Sequence, residues 1–273
     1  MSFYNYSDTE LFYKEIGQGV PFLLIHGWAI DHAFLEKCFE PIFEKIDYPV
    51  RRIYVDIPGM GRSVPGKVKN GDGIIEVLGA FMDYIAPGQQ YYVGGNSFGS
   101  VVSRAMVAKY ADKIAGLMLI APAADGKIPG SEEGVYVYES DFMRTLSKKQ
   151  RDDFMAMNAN LTRQTWERYV ELVEPSVKIN EHNDYMHKVL KGSFSFDINK
   201  MIMKNHFDKP TLILVGKYDC AVGYKEQFGW LSVFKKGSYI LIDGAGHNIH
   251  IDQPEMFNDS VEGWLRQFVC ISK

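Results

Sequence analysis

The chain is poor in several features that would assign it to large protein classes. It has only three cysteines in 273 residues, Cys38, Cys220 and Cys270. So few and so scattered, they give neither a disulfide framework nor a tetrahedral metal site. Positive charge is not in excess, since 30 Lys and Arg against 34 Asp and Glu leave a net charge of −4. No basic face is therefore expected to attract nucleic acid or an anionic membrane. Long hydrophobic runs are missing too: the longest covers residues 117–124, far short of the ~20 apolar residues of a spanning helix. The opening Met1-Ser2-Phe3-Tyr4 has neither the basic start nor the apolar core of a secretory signal. These absences point to a cytoplasmic protein with no membrane or nucleic-acid partner.

What is present is a hydrophobic content of 46%, enough for one large core. Residues 3–6 and 11–16 read as short strands that pair antiparallel around Asp8-Thr9-Glu10. Residues 21–25, 52–56, 90–94, 114–121, 210–216 and 238–243 read as further strands, most of them apolar throughout. Helical spacing occupies 34–46, 72–86 with Asp72 as its N-cap, 101–110, and 254–269 with Pro254 in the first turn. Strands that alternate with helices and are apolar throughout predict a mainly parallel sheet covered by helices on both faces. Residues 123–204 break this alternation. Helices follow one another there: one opens at the capping box Ser147-Lys148-Lys149-Gln150, one covers 162–173 and ends before Pro175, and one covers 183–190. The expected organisation is a core of residues 1–122 and 205–273 carrying a helical cap, 123–204. Phe142, Met143, Phe154, Met155, Trp166, Tyr169, Tyr185 and Met186 are expected to divide between packing and lining a pocket.

The chemistry centres on Gly95-Asn96-Ser97-Phe98-Gly99. A Gly-x-Ser-x-Gly pattern arises by chance in roughly one chain of this length in ten, so its setting has to decide. Here a strand precedes it and a helix follows. A serine on so tight a turn is held in a strained conformation that exposes its Oγ, and the flanking glycines leave no Cβ to collide. The stretch resembles the nucleophile elbow of the α/β-hydrolases. That resemblance covers about residues 20–122 and 209–270 and does not extend to the cap. It implies a catalytic triad of Ser97 as nucleophile, Asp219 as acid (Gly216-Lys217-Tyr218-Asp219) and His247 as base (Gly246-His247), in the chain order this fold uses. It implies an oxyanion hole made by the backbone N–H groups of Trp28, after His26-Gly27, and of Phe98. A strand end with a buried structural histidine remains the other reading of His26. The segment Asp56-Ile57-Pro58-Gly59-Met60-Gly61-Arg62-Ser63 resembles the family's Asp-x-Pro-Gly-x-Gly-x-Ser and is expected to fix a loop.

Other polar residues near these motifs have quieter expectations. His250 is expected to be buried, Asp243 to be structural, Asp252 to cap the final helix and Cys220 to pack as a small hydrophobe. A serine nucleophile sets the chain apart from the haloalkane dehalogenases and epoxide hydrolases of this fold, which use an aspartate. The resemblance implies no cofactor and no metal. It implies hydrolysis of a small-molecule ester, with aminopeptidase, thioesterase and carbon–carbon hydrolase chemistry as alternatives on the same triad. A ligand sensor that keeps the triad is the alternative from another class.

Overall fold

A computed structural model describes residues 2–124, 134–181, 183, 185 and 206–271, with 268–271 described by backbone alone. Strands β1 (Ser2–Tyr6) and β2 (Thr9–Ile16) form an antiparallel hairpin. Then follow β3 (Val20–Ile25), α1 (His32–Phe43), β4 (Val50–Val55), α2 (Gly71–Ile85), β5 (Tyr91–Asn96), α3 (Phe98–Tyr110) and β6 (Ile114–Ile120). The next described residues give β7 (Val137–Tyr138), α4 (Ser140–Met143), α5 (Lys148–Met157), β8 (Asn160–Leu161), α6 (Arg163–Leu172) and α7 (Glu174–Asn180). The chain ends with β9 (Phe207–Gly216), α8 (Lys225–Phe228), β10 (Phe234–Ile242), α9 (Ile249–Asp252) and α10 (Pro254–Ile271).

Eight strands form one sheet in the order β1-β2-β4-β3-β5-β6-β9-β10, parallel from β4 to β10. The apolar runs are explained by burial on both faces. In β3, Leu23 and Ile25 join the core under α2 and α3, while Phe22 and Leu24 join the core under α1 and α10. β6 and β9 repeat this with Leu117, Leu119, Ile213 and Val215 on one side and Met118, Ile120, Leu212 and Leu214 on the other. A strand buried on both sides loses its polar alternation and reads as continuous hydrophobicity. The chain winds outward in both directions from the neighbours β3 and β5, so their carboxyl ends open onto the crevice where such sheets bind ligands.

One local expectation is corrected. The N-cap of α2 is Asn70, whose side chain accepts from Gly73 N at 3.0 Å, and Asp72 lies inside the first turn. The helix expected over 162–173 is α6, which ends before Pro175 as read; Pro175 itself sits in the first turn of α7, where a missing N–H costs nothing. The capping box at Ser147 is formed as read. The expected helix over 183–190 lies largely outside the described residues, as does Met186.

Candidate active site

Ser97 stands between β5 and α3 with φ 52° and ψ −114°, a left-handed conformation rare for any residue with a Cβ. The turn is fixed from several sides. Ser97 N donates to Ile120 O at 2.8 Å, and Ser100 Oγ donates to Gly95 O at 2.6 Å. A Cβ on Gly95 would overlap Gly99 O, and one on Gly99 would overlap Ile25 O. Both glycines are thus required by contact with backbone.

His247 and Asp219 come from loops at the carboxyl ends of β10 and β9. His247 Nδ1 lies 2.8 Å from Asp219 Oδ2, and both residues are buried. The other Asp219 oxygen accepts from Ala221 N and Val222 N, each at 2.9 Å, so the carboxylate cannot turn away. Burial lowers the basicity of His247, but the charge and hydrogen bond of Asp219 outweigh it and hold the imidazole above its ordinary value.

Ser97 and His247 line one cavity of about 410 Å³. Trp28 lines it from the loop after β3, and its ring meets that of Phe98, the first residue of α3, edge-on at 5.4 Å. Most of the remaining wall is apolar: Ile30 and Phe34 from the core, and Met157, Tyr169, Val173 and Val177 from the helices between β6 and β9. The structure therefore places Ser97, His247 and Trp28 on one chamber, with Asp219 bonded to His247 and Phe98 packed against Trp28.

The family model of the alpha/beta hydrolase fold matches residues 20–254. The chain belongs to the α/β-hydrolase family of enzymes. It is similar to the pimeloyl-acyl-carrier-protein methyl ester esterase of Vibrio vulnificus, 24% identical over 259 residues that cover 91% of this chain and 95% of the relative. It is equally similar to the proline iminopeptidase of Flavobacterium johnsoniae, 24% identical over 275 residues covering 88% and 87%. The crystal structure of an α/β superfamily hydrolase from Oenococcus oeni superposes over 97% of this chain and 98% of its own, with a TM-score of 0.84 at 26% identity.

In this α/β-hydrolase the loops around the chamber are held by buried polar groups. His26 is structural: Ile57 N donates to its Nε2 at 2.9 Å, which leaves Nδ1 as the donor to Gly27 O at 2.7 Å. Asp56 Oδ1 accepts from His32 N (2.7 Å) and His32 Nδ1 (2.8 Å), and Oδ2 accepts from Arg62 N (2.8 Å). Burial raises the Asp56 carboxyl, but its His32 and His26 neighbours and the Arg62 N–H hold it below the usual range. The Arg62 guanidinium lies over the Phe12 ring at 4.3 Å. The segment 56–63 thus fixes a loop.

Other expectations fare differently. His250 is buried as read, between the edges of Phe34 and Phe257, and Asp243 pairs with Lys217 at 2.8 Å on the surface. Cys220 is exposed rather than packed, and burial together with Asp219 pushes its thiol upward, so it is not activated. Asp252 does not cap the last helix. Its buried carboxylate accepts from Ala159 N, Asn160 N, Gly246 N and Asn158 Nδ2. The clamp made by α7 was not among the expectations. Ser176 Oγ donates to Asp31 Oδ1 at 2.6 Å, Asn180 Nδ2 to Ile30 O at 3.2 Å, and Gly61 N to Asn180 Oδ1 at 2.9 Å. Asn158, Asn160, Ser176 and Asn180 are the residues that could have pointed to either, but Asn and Ser at helix ends equally suit ordinary capping.

Proposed function

We propose that the protein is a serine hydrolase that cleaves a small or medium, largely apolar carboxylic ester through an acyl-enzyme intermediate. The observation that carries this reading is the strained Ser97 sharing an apolar chamber with a His247 whose far nitrogen is held at 2.8 Å by a buried Asp219. In this mechanism Ser97 Oγ attacks the acyl carbon while its proton passes to His247 Nε2. Asp219 keeps the other ring nitrogen protonated and stabilises the imidazolium. The Trp28 and Phe98 N–H groups receive the oxyanion, the latter at a helix N-terminus whose dipole favours negative charge. The tetrahedral intermediate collapses as His247 returns the proton to the leaving alcohol. Water, deprotonated by the same imidazole, then attacks the acyl-enzyme and releases the acid.

A cavity of about 410 Å³ falls within the usual range of small-ligand sites, about 300–1,000 Å³. Its apolar wall favours an alkyl or aryl acyl group over a charged one. We take residues 123–204 as the cap that supplies half of that wall and a cytoplasmic small molecule as the partner. The iminopeptidase relative raises an amide substrate with a free amine, which needs a carboxylate in the site to bind the ammonium group. Asp153 is the carboxylate among the described lining residues, and Lys149 already pairs with it at 2.9 Å. The ester reading is therefore preferred.

Pre-steady-state kinetics with p-nitrophenyl butyrate test it. The expected trace is a burst of about one equivalent followed by continued turnover, both lost in Ser97→Ala. A burst that stops at one equivalent would make the protein a sensor, and turnover of proline p-nitroanilide but of no ester would make it an aminopeptidase.

A further inference from the structure

We propose that Asp252 is a positioning residue, which holds the cap's substrate-facing wall in register with His247. This rests on the serine-hydrolase reading above and adds to it the device that sets acyl-chain preference.

His247 is bracketed by two ties to the same stretch of chain. On one side of it, Gly246 N donates to Asp252 Oδ2 at 2.8 Å, and that oxygen also accepts from Ala159 N at 2.8 Å. On the other side, Asn248 N donates to Met157 O at 2.9 Å, and Asn248 Nδ2 donates to Asn158 Oδ1 at 3.0 Å. The second Asp252 oxygen completes the set, accepting from Asn160 N at 3.1 Å and Asn158 Nδ2 at 3.3 Å. One carboxylate thus accepts from both the histidine loop and residues 158–160. The two chains also touch directly, since a Cβ on Gly246 would lie 3.0 Å from Ala159 N and 3.1 Å from Met157 O. Ala156 and Met157, just before the pinned stretch, line the chamber with Ser97 and His247. The wall against which an acyl chain rests is therefore indexed to the base through Asp252.

Four donors converge on two oxygens with no acceptor capacity wasted, which an amide cannot reproduce. In Asp252→Asn, either orientation of the side chain sets an NH₂ group against two N–H donors, so one of the two pairs must separate. Ser97 and Asp219 have no hydrogen bond to this carboxylate among the described residues, and His247 meets it only through the N–H of its neighbour Gly246. A short acyl group, which hardly reaches the wall, should react nearly as before, while a long one should lose its seat.

The test is kcat and KM for p-nitrophenyl acetate and p-nitrophenyl octanoate in wild type, Asp252→Asn and Asn158→Ala. The expected result is that Asp252→Asn lowers the octanoate-to-acetate ratio of kcat/KM at least tenfold, through a raised octanoate KM. Asn158→Ala should move the ratio about threefold in the same direction, and it decides the matter if Asp252→Asn does not fold. A merely structural role reduces the amount of active protein, scaling both esters together and leaving the ratio and KM unchanged. A ratio within twofold of wild type in the folded variants would overturn the proposal while wild-type ester turnover left the serine-hydrolase reading intact. If wild type cleaves neither ester, that reading fails and this one with it.

Discussion

His247 is under two opposing demands that pH separates. Asp219 holds its pKa above the ordinary histidine value of about 6.5. Because the folded pKa is the higher one, the imidazolium–carboxylate pair contributes its full stability below the ordinary value and loses it as pH rises through the elevated pKa. Catalysis needs the neutral ring. Ester turnover should therefore rise with pH through a midpoint above 6.5, while the melting temperature of wild type relative to His247→Gln falls over the same interval. In Asp219→Asn the activity midpoint should drop, with a turnover loss on the order of 10³–10⁴. A midpoint unmoved by that substitution would remove Asp219 from the role of partner. His250 shows the reverse electrostatics. Burial, helped by His247, pushes it down to about 3, and its Nε2 is buried with no partner among the described residues. A depressed pKa means stability present above the ordinary value and lost as pH falls through the window from about 6.5 towards 3. His250→Phe, keeping the ring contacts with Phe34 and Phe257, should raise the melting temperature more at pH 5 than at pH 8. An equal change at both would show that His250 is not held neutral by its surroundings. Once the Gly-His pattern had selected His247, a buried or helix-approach place was what the sequence left for His250, and it is buried. The pairing of His247 rather than His250 with Asp219 was implied by the resemblance alone, because no local spacing records which ring a distant carboxylate meets.

The β5–α3 turn is the element on which the site depends, and its geometry follows from its residues. A Cβ at position 99 would overlap the carbonyl oxygen of Ile25 at the end of β3, a backbone atom that cannot move without shifting a central strand. Gly99→Ala should therefore destabilise by on the order of 3 kcal/mol, the upper part of the overpacking range, read as a fall in the denaturation midpoint. Unchanged stability would mean that β3 and the elbow are not in contact. Elements of this kind were readable in advance because their signals are local: continuous apolar runs for β3 and β6, a capping box for α5, a strand running into Gly-x-Ser-x-Gly for the elbow. Where local signals were ambiguous, tertiary contact chose. Pro175 is compatible with ending one helix or opening the next, and α7 forms because Ser176 and Asn180 find Asp31, Ile30 and Gly61 across the chamber.

At the scale of the molecule, the sheet order places the loops after β3, β5, β9 and β10 on one rim, and the strand–helix alternation was enough to foresee it. How the helices between β6 and β9 dock on that rim was not foreseeable. Ala159 and Asp252, or Asp31 and Ser176, meet across separations of 93 and 145 residues, and no periodicity records such pairs. The central claim, that Ser97 is the nucleophile of this rim, is tested most directly by reaction with a fluorophosphonate and mass spectrometry of the digest. The expected result is a single adduct on the peptide carrying Ser97, absent in Ser97→Ala. An adduct on the buried Ser63, Ser100 or Ser103, or labelling undiminished in Ser97→Ala, would contradict it.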